Sequence, residues 1–229
     1  MSETEHQQEQ EQESRLEKLH RLEELGVDPW GHRFDDHQPI SEILALPVDA
    51  DPRPKVKAAG RIRLRRTMGK VHFLQIWDWT AKDKMLQVMI GRKQVGEEAW
   101  EMAKNFDLGD LIGVEGEFGA TRTGEPTIFA EKLTYLGKSL ENYPDKHGGL
   151  KDLESRLRRR YVDLIYNPET LDRARKRIQI VRTIRRYLDD QGYCEVETPT
   201  LHAIAGGAAA RPFVTHHNAL GIDLFMRIA

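Results

Sequence analysis

The sequence predicts two units of different class: a closed β-barrel, followed by an α+β unit. Three observations carry this. Between residues 55 and 136 lie five strand-like segments, the first three alternating side chains at the period of a strand, with a helical segment between the third and fourth. ENYPDKHGGLKD then breaks the pattern at Gly148-Gly149. Beyond it a long amphipathic helix leads into a short strand-like stretch, YCEVETPTL.

In chain order, residues 1–13 are rich in Glu and Gln without apolar periodicity, and are expected to be disordered. From Ser14, Leu16, Leu19, Leu22 and Leu25 recur at near-helical spacing, and Gly26 stands where a C-terminal cap belongs. Residues 27–54 carry five prolines and read as an extended connection, with a helical turn near 41–46. The barrel covers 55–140. In KVKAAGRIRLRR, Val56, Ala58, Ile62 and Leu64 alternate with Lys57, Arg61, Arg63 and Arg65; HFLQIWDWT and MLQVMI repeat the alternation. A helix is expected from Val95 to Phe106, then strands over 111–118 and 127–136. Three strands, a helix and two strands are the order of a five-stranded OB barrel. A linker follows at 141–160, and the second unit fills 161–229. There Asn167 is placed to cap the long helix, Pro168 opens it, and Gly192 stops it. Pro199 ends the strand after it, since it cannot donate to a ladder.

Composition narrows the function. No apolar run reaches the ~18 residues of a membrane span, and the N-terminus has neither the basic start nor the apolar stretch of a secretory signal. The single cysteine, Cys194, fits a reducing cytoplasm and is expected to be a small buried residue. The net charge of −2 hides an asymmetry: residues 151–186 carry twelve Lys or Arg against five Asp or Glu. A near-neutral total therefore leaves a nucleic-acid partner open, because the local field decides.

Phe73, Gln75 and Trp77 share one strand face, beside Arg61, Arg63, Arg65 and Arg66. Flat rings among cations suit single-stranded nucleic acid, because bases stack on the rings and the cations follow phosphates. An ordinary basic surface has the same pattern. Glu125, in the TRTGEP turn, would repel phosphate but can accept hydrogen bonds from a base edge. His216-His217 are adjacent in a strand, hence on opposite faces, and do not read as a metal site. GGAAARPF combines glycines, which let backbone approach a ligand closely, with a proline that extends the residue before it. It reads as a loop exposing backbone groups to something small, or as a plain turn before a strand.

AAGRIRLRRTMGK, DLGDLIGVEG, TRTGE, KHGGLKDLESRLRRRYVDLI, EVETPTL and GGAAARPFVTHHNALGIDLFMRIA together resemble the bacterial-type lysyl-tRNA synthetases of class II. The resemblance runs from about Ser14 to Ala229. It implies an N-terminal OB domain that binds the tRNA anticodon, followed by the start of an antiparallel-sheet catalytic domain. It also implies anticodon contacts at Arg66, Phe73, Gln87 and Glu125, a lysine contact at Gly207, and a dimer interface at Pro199. The implied reaction is ATP-dependent activation of lysine and transfer to tRNA(Lys), with Mg2+, in a cytoplasmic homodimer. The family's lysine-binding glutamate, ATP-binding arginine and Mg2+ ligands would lie beyond Ala229. No catalytic residue is therefore assigned, and the chain by itself is expected to be inactive, as a truncated product. The loop between Trp77 and Gln87 is longer than the family pattern. Two other readings share these features: a free-standing OB-type RNA-binding protein without catalysis, and a synthetase for aspartate or asparagine. GGAAARPF and KHGGL argue against the second.

Overall fold

The computed structural model describes residues 3–31, 33–141 and 150–228, with side chains from residue 13 onward. The chain forms two compact units, Met1–Pro168 and Glu169–Ala229.

The first unit opens with α1, Glu3–Glu24. The expected disorder at the start is thus corrected: from Glu3 on, the chain is helical. Glu and Gln lose little rotamer freedom in a helix, and a formed helix extends more cheaply than it nucleates. Leu19 and Leu22 are buried, while Leu16 and Leu25 are 40% and 46% exposed. Steps of three residues fall short of a 3.6-residue turn, so four such leucines drift around the helix and only the middle two face inward. Arg15 and Lys18 complete that face. Arg15 Nη1 donates to the carbonyls of Leu108 and Ser139 at 3.0 Å each, and Lys18 Nζ pairs with Asp107 at 2.5 Å. Gly26, at φ +73°, closes the helix: its N–H donates to Glu23 O, and Val27 N–H to Leu22 O.

After the short α2 (Ile40–Ile43) come β1 (Lys55–Met68), β2 (Val71–Trp77), β3 (Leu86–Gly91), α3 (Arg92–Lys104, broken at Gly96), β4 (Leu111–Ala120) and β5 (Pro126–Gly137). The strands close in the order β1-β2-β3-β5-β4, with β3 and β5 parallel and the other pairs antiparallel. This is an OB barrel. Ile62, Leu74, Ile76, Val88, Ile90, Ile112, Phe118 and Ile128 fill it.

One strand departs from its expected faces. The β1–β2 register shifts between Ile62 and Leu64. An extra residue reverses the side-chain alternation beyond it. Leu64, expected inside, is 37% exposed opposite Gln75. Arg65, expected outside, turns to the end of α3, where it donates to the carbonyls of Lys104 and Phe106. Carbonyls at a helix C-terminus lack intrahelical donors, and a guanidinium satisfies two at once.

Residues 142–149 of the expected linker lie outside the described residues. Beyond them α4 (Leu153–Arg158) and α5 (Arg160–Tyr166) belong to the first unit. They gather on a buried carboxylate: Asp163 accepts from Arg156 Nε and Arg160 Nη1, both at 2.8 Å, and from Asn167 Nδ2 at 2.6 Å. Asn167, expected to cap the next helix, commits its amide here and to Leu150 O. Two cations of the basic run at 151–160, Arg156 and Arg160, thus serve to neutralise Asp163.

The second unit consists of α6 (Pro168–Asp190) and strands β6 (Leu201–His202), β7 (Val214–His217) and β8 (Ile222–Met226), in the antiparallel order β6-β8-β7. The strand expected over YCEVETPTL is limited to Leu201–His202. Residues 193–199 have no ladder partner among the described residues, and a strand requires one. Cys194, expected buried, is exposed for the same reason.

Candidate nucleic-acid interface

Alternation along β2 turns Leu74 and Ile76 into the barrel and leaves Phe73 and Gln75 on its outer face. Closure then sets residues beside them that are distant in sequence. Arg66 is opposite Phe73, Phe73 opposite Met89, and Met89 opposite Phe129. The next rung is Gln75, Gln87 and Thr127. Phe73, Met89 and Phe129 are half-buried, so their outer surfaces remain open to a ligand. Arg53, just before β1, lies over the Phe129 ring with its guanidinium carbon 4.4 Å from the centroid.

Of the four arginines of β1, three are engaged by groups of the fold and one is exposed. Arg61 donates to Gly109 O at 2.6 Å. Arg63 donates to Ile165 O at 2.6 Å and lies over the rings of Trp77 and Tyr166. Arg65 caps α3. Arg66 is exposed beside Phe73, with no hydrogen bond or ion pair among the described residues.

Gln87 and Glu125 meet through Thr127. Gln87, only 4% exposed, donates from Nε2 to Thr127 Oγ1 at 2.9 Å, and that hydroxyl donates to Glu125 O at 2.9 Å. The turn holding Glu125 is closed by Thr121: its N–H donates to Glu125 O, and its Oγ1 accepts from Glu125 N–H. The Glu125 side chain itself is exposed. A fixed amide and an exposed carboxylate beside an aromatic platform can read base edges while a base stacks on Phe73. Sequence alone had not placed Arg53, Met89 and Phe129 here. Met89 enters through the antiparallel β2–β3 pairing, Phe129 through the parallel β3–β5 pairing, and Arg53 through its place over the Phe129 ring, none of which periodicity within one strand encodes.

Behind this face, His72 is buried and stacked on Trp100 at 4.2 Å. Burial, with the nearby Arg65 and Lys104 cations, lowers its pKa to about 4, so it is neutral at pH 7.

The remaining predicted residues lie in the second unit. Gly207 sits in an exposed loop at φ +103°, a conformation that favours glycine. Pro199 is exposed next to Thr198, which Arg227 bonds through both its carbonyl and its hydroxyl. Among the described residues no group of three His, Cys, Asp or Glu is gathered to hold a metal ion, so no step is assigned to Mg2+.

Comparison with known proteins matches both units. Residues 56–136 match the family described as OB-fold nucleic acid binding domain, and residues 152–229 match tRNA synthetases class II (D, K and N). The chain is related to class II tRNA synthetases. It carries an OB-fold domain joined to part of a class II synthetase catalytic domain. Lysine–tRNA ligases of Bacillus cereus (strain AH187), Enterococcus faecalis (strain ATCC 700802 / V583) and Bacillus anthracis are each 47% identical over 221 residues. Each alignment covers 94% of this chain and 44% of the relative, so the chain spans less than half the length of these relatives.

Proposed function

We propose that this chain is the anticodon-binding and lysine-site portion of a lysine–tRNA ligase, and that its barrel binds the anticodon loop of tRNA(Lys). The observation that carries the reading is the rung from Arg66 to Phe73, with Gln87 beside it and linked through the Thr127 hydroxyl to the backbone carbonyl of Glu125. Phe73 stacks a base, Gln87 and Glu125 contact base edges, and Arg66 follows the phosphates. The printed activity of the relatives supports lysine as the amino acid.

In the second unit the bare backbone around Gly207 would receive the α-amino and carboxylate end of lysine. Activation with ATP and Mg2+ and transfer to the tRNA belong to the whole ligase; such steps rest on positioning and on cations stabilising phosphate charge. Pro199 would lie at the interface of a homodimer, and a translation enzyme of this kind would act in the cytoplasm. No helix among the described residues is long and apolar enough to cross a membrane.

Binding to a hairpin with a UUU anticodon tests the reading. Phe73→Ala should weaken it by about 1–3 kcal/mol, the usual worth of one base–aromatic stack. Most of the salt dependence, which reports phosphate contacts, should remain. Equal affinity of variant and parent would remove Phe73 from the interface. The 229-residue chain by itself should give no lysine-dependent exchange of labelled pyrophosphate into ATP. Exchange that vanishes on Gly207→Leu would show that the residues present already suffice for activation.

A further inference from the structure

The β2–β3 loop, residues 78–85, presents a second aromatic surface. It lies at the barrel end where β2 stops at Trp77 and β3 begins at Leu86, next to the Gln87–Thr127 rung and the turn that holds Glu125. Its conformation is fixed from both sides. Asp78 Oδ2 accepts from Ile40 N–H at 3.0 Å, and Oδ1 accepts from the N–H groups of Thr80 and Ala81 at 2.9 and 3.0 Å. Thr80 Oγ1 accepts from Ser41 N–H at 3.3 Å. On the other side Trp77 Nε1 donates to Lys82 O at 2.7 Å, holding Lys82 at φ +54°. Ala81 is buried beneath. Trp79, between the two residues that pin the loop to α2, is nevertheless 67% exposed.

An exposed ring on a protein surface is by itself ordinary. This ring is carried on a loop whose backbone is already immobilised, so a ligand stacking on it would order little that is not ordered already. Lys82 and Lys84 follow it, both exposed, with Asp83 between them as the one opposing exposed charge of the loop. Six residues at about 3.3 Å each place Trp79 no more than about 20 Å from Phe73. That is within the footprint of roughly 4–16 nucleotides that one OB fold takes on a single strand.

We infer that Trp79 is a second stacking platform, which takes an unpaired nucleotide flanking the anticodon triplet while Phe73 takes a base within it. This rests on the proposed anticodon binding and extends it along the strand. The ring selects no particular base, because every base has a face to stack, so its contribution is to affinity and register.

Two hairpins separate the possibilities: one with a complete loop around UUU, and one in which the loop nucleotides flanking the triplet are abasic. Trp79→Ala in the 229-residue chain should lower affinity for the complete hairpin about fivefold or more. It should leave the weaker binding of the abasic hairpin unchanged. Trp79→Phe should recover much of the loss, which a merely disordered loop would not allow. Phe73→Ala should weaken both hairpins. If Phe73→Ala weakens binding and Trp79→Ala binds the complete hairpin like the parent, Trp79 is no nucleotide platform and its exposure belongs to some other contact, such as a protein surface. If Trp79→Ala weakens both hairpins equally, the flanking assignment is overturned. Should Phe73→Ala have no effect on either, the anticodon reading itself fails, and this inference with it.

Discussion

The barrel and the helix α6 carry apolar patterns of similar strength, yet they end in opposite surroundings. Ile62, Ile76, Ile112 and Ile128 in the barrel are fully buried. On α6, Ile178 and Ile184 are each 53% exposed, and Val181 and Leu188 each 41%. Closure explains the first case: every barrel strand has a neighbour on both sides, leaving no edge, and the inward residues pack on one another. The sheet β6-β8-β7 is open, with two edges. An apolar stripe states only that burial is available; a second surface has to supply it.

The largest test of this contrast is core truncation. Phe118→Ala, inside the barrel, should cost about 3–5 kcal/mol of stability in urea unfolding. Ile184→Ala on α6 should stay within about 0.5 kcal/mol. Similar losses at the two positions would mean that the α6 stripe is covered in solution.

Acid should act on the barrel next. His72 has its pKa lowered from 6.5 to about 4 by burial and by Arg65 and Lys104, so the folded state binds that proton less readily than the unfolded chain. Its contribution is whole above pH 6.5 and is lost as pH falls from 6.5 towards 4. A shift of this size corresponds to roughly 3 kcal/mol. Urea midpoints for the parent should fall across that interval, and His72→Phe should flatten that part of the profile. An unchanged slope in the variant would assign the acid sensitivity to other groups.

The smallest effect on folding should accompany a large effect on association. The exposed stripe on α6 should make the chain bind a hydrophobic dye or self-associate. Ile178→Asp with Ile184→Asp should reduce both while leaving barrel unfolding nearly unchanged. A clean monomer over a wide concentration range, without dye binding, would count against the stripe as an association surface.

Local patterns determined much of this protein. All five barrel strands could be placed from sequence, the first three through period-two alternation, the order of elements identified the barrel type, and residues 168–190 announced their helix through spacing and a terminal glycine. Alternation told which side of β2 Phe73 takes, whereas Arg66, at the parity that the β1 pattern turns inward, was named through the resemblance alone. Tertiary structure decided the rest. A single register shift put Leu64 outside and sent Arg65 to the end of α3, a change that composition does not reveal because an inserted residue looks like any other. Arg61 and Arg63 looked equally suited to phosphate until carbonyls from elsewhere in the fold claimed them. Parallel pairing of β3 with β5 brought Phe129 and Arg53 to the Phe73 rung and bonded Gln87 to Thr127. The physical reason is one of range. Side-chain direction and helix ends depend on neighbours a few residues away, whereas hydrogen-bond partners and burial depend on surfaces that only the folded chain brings together.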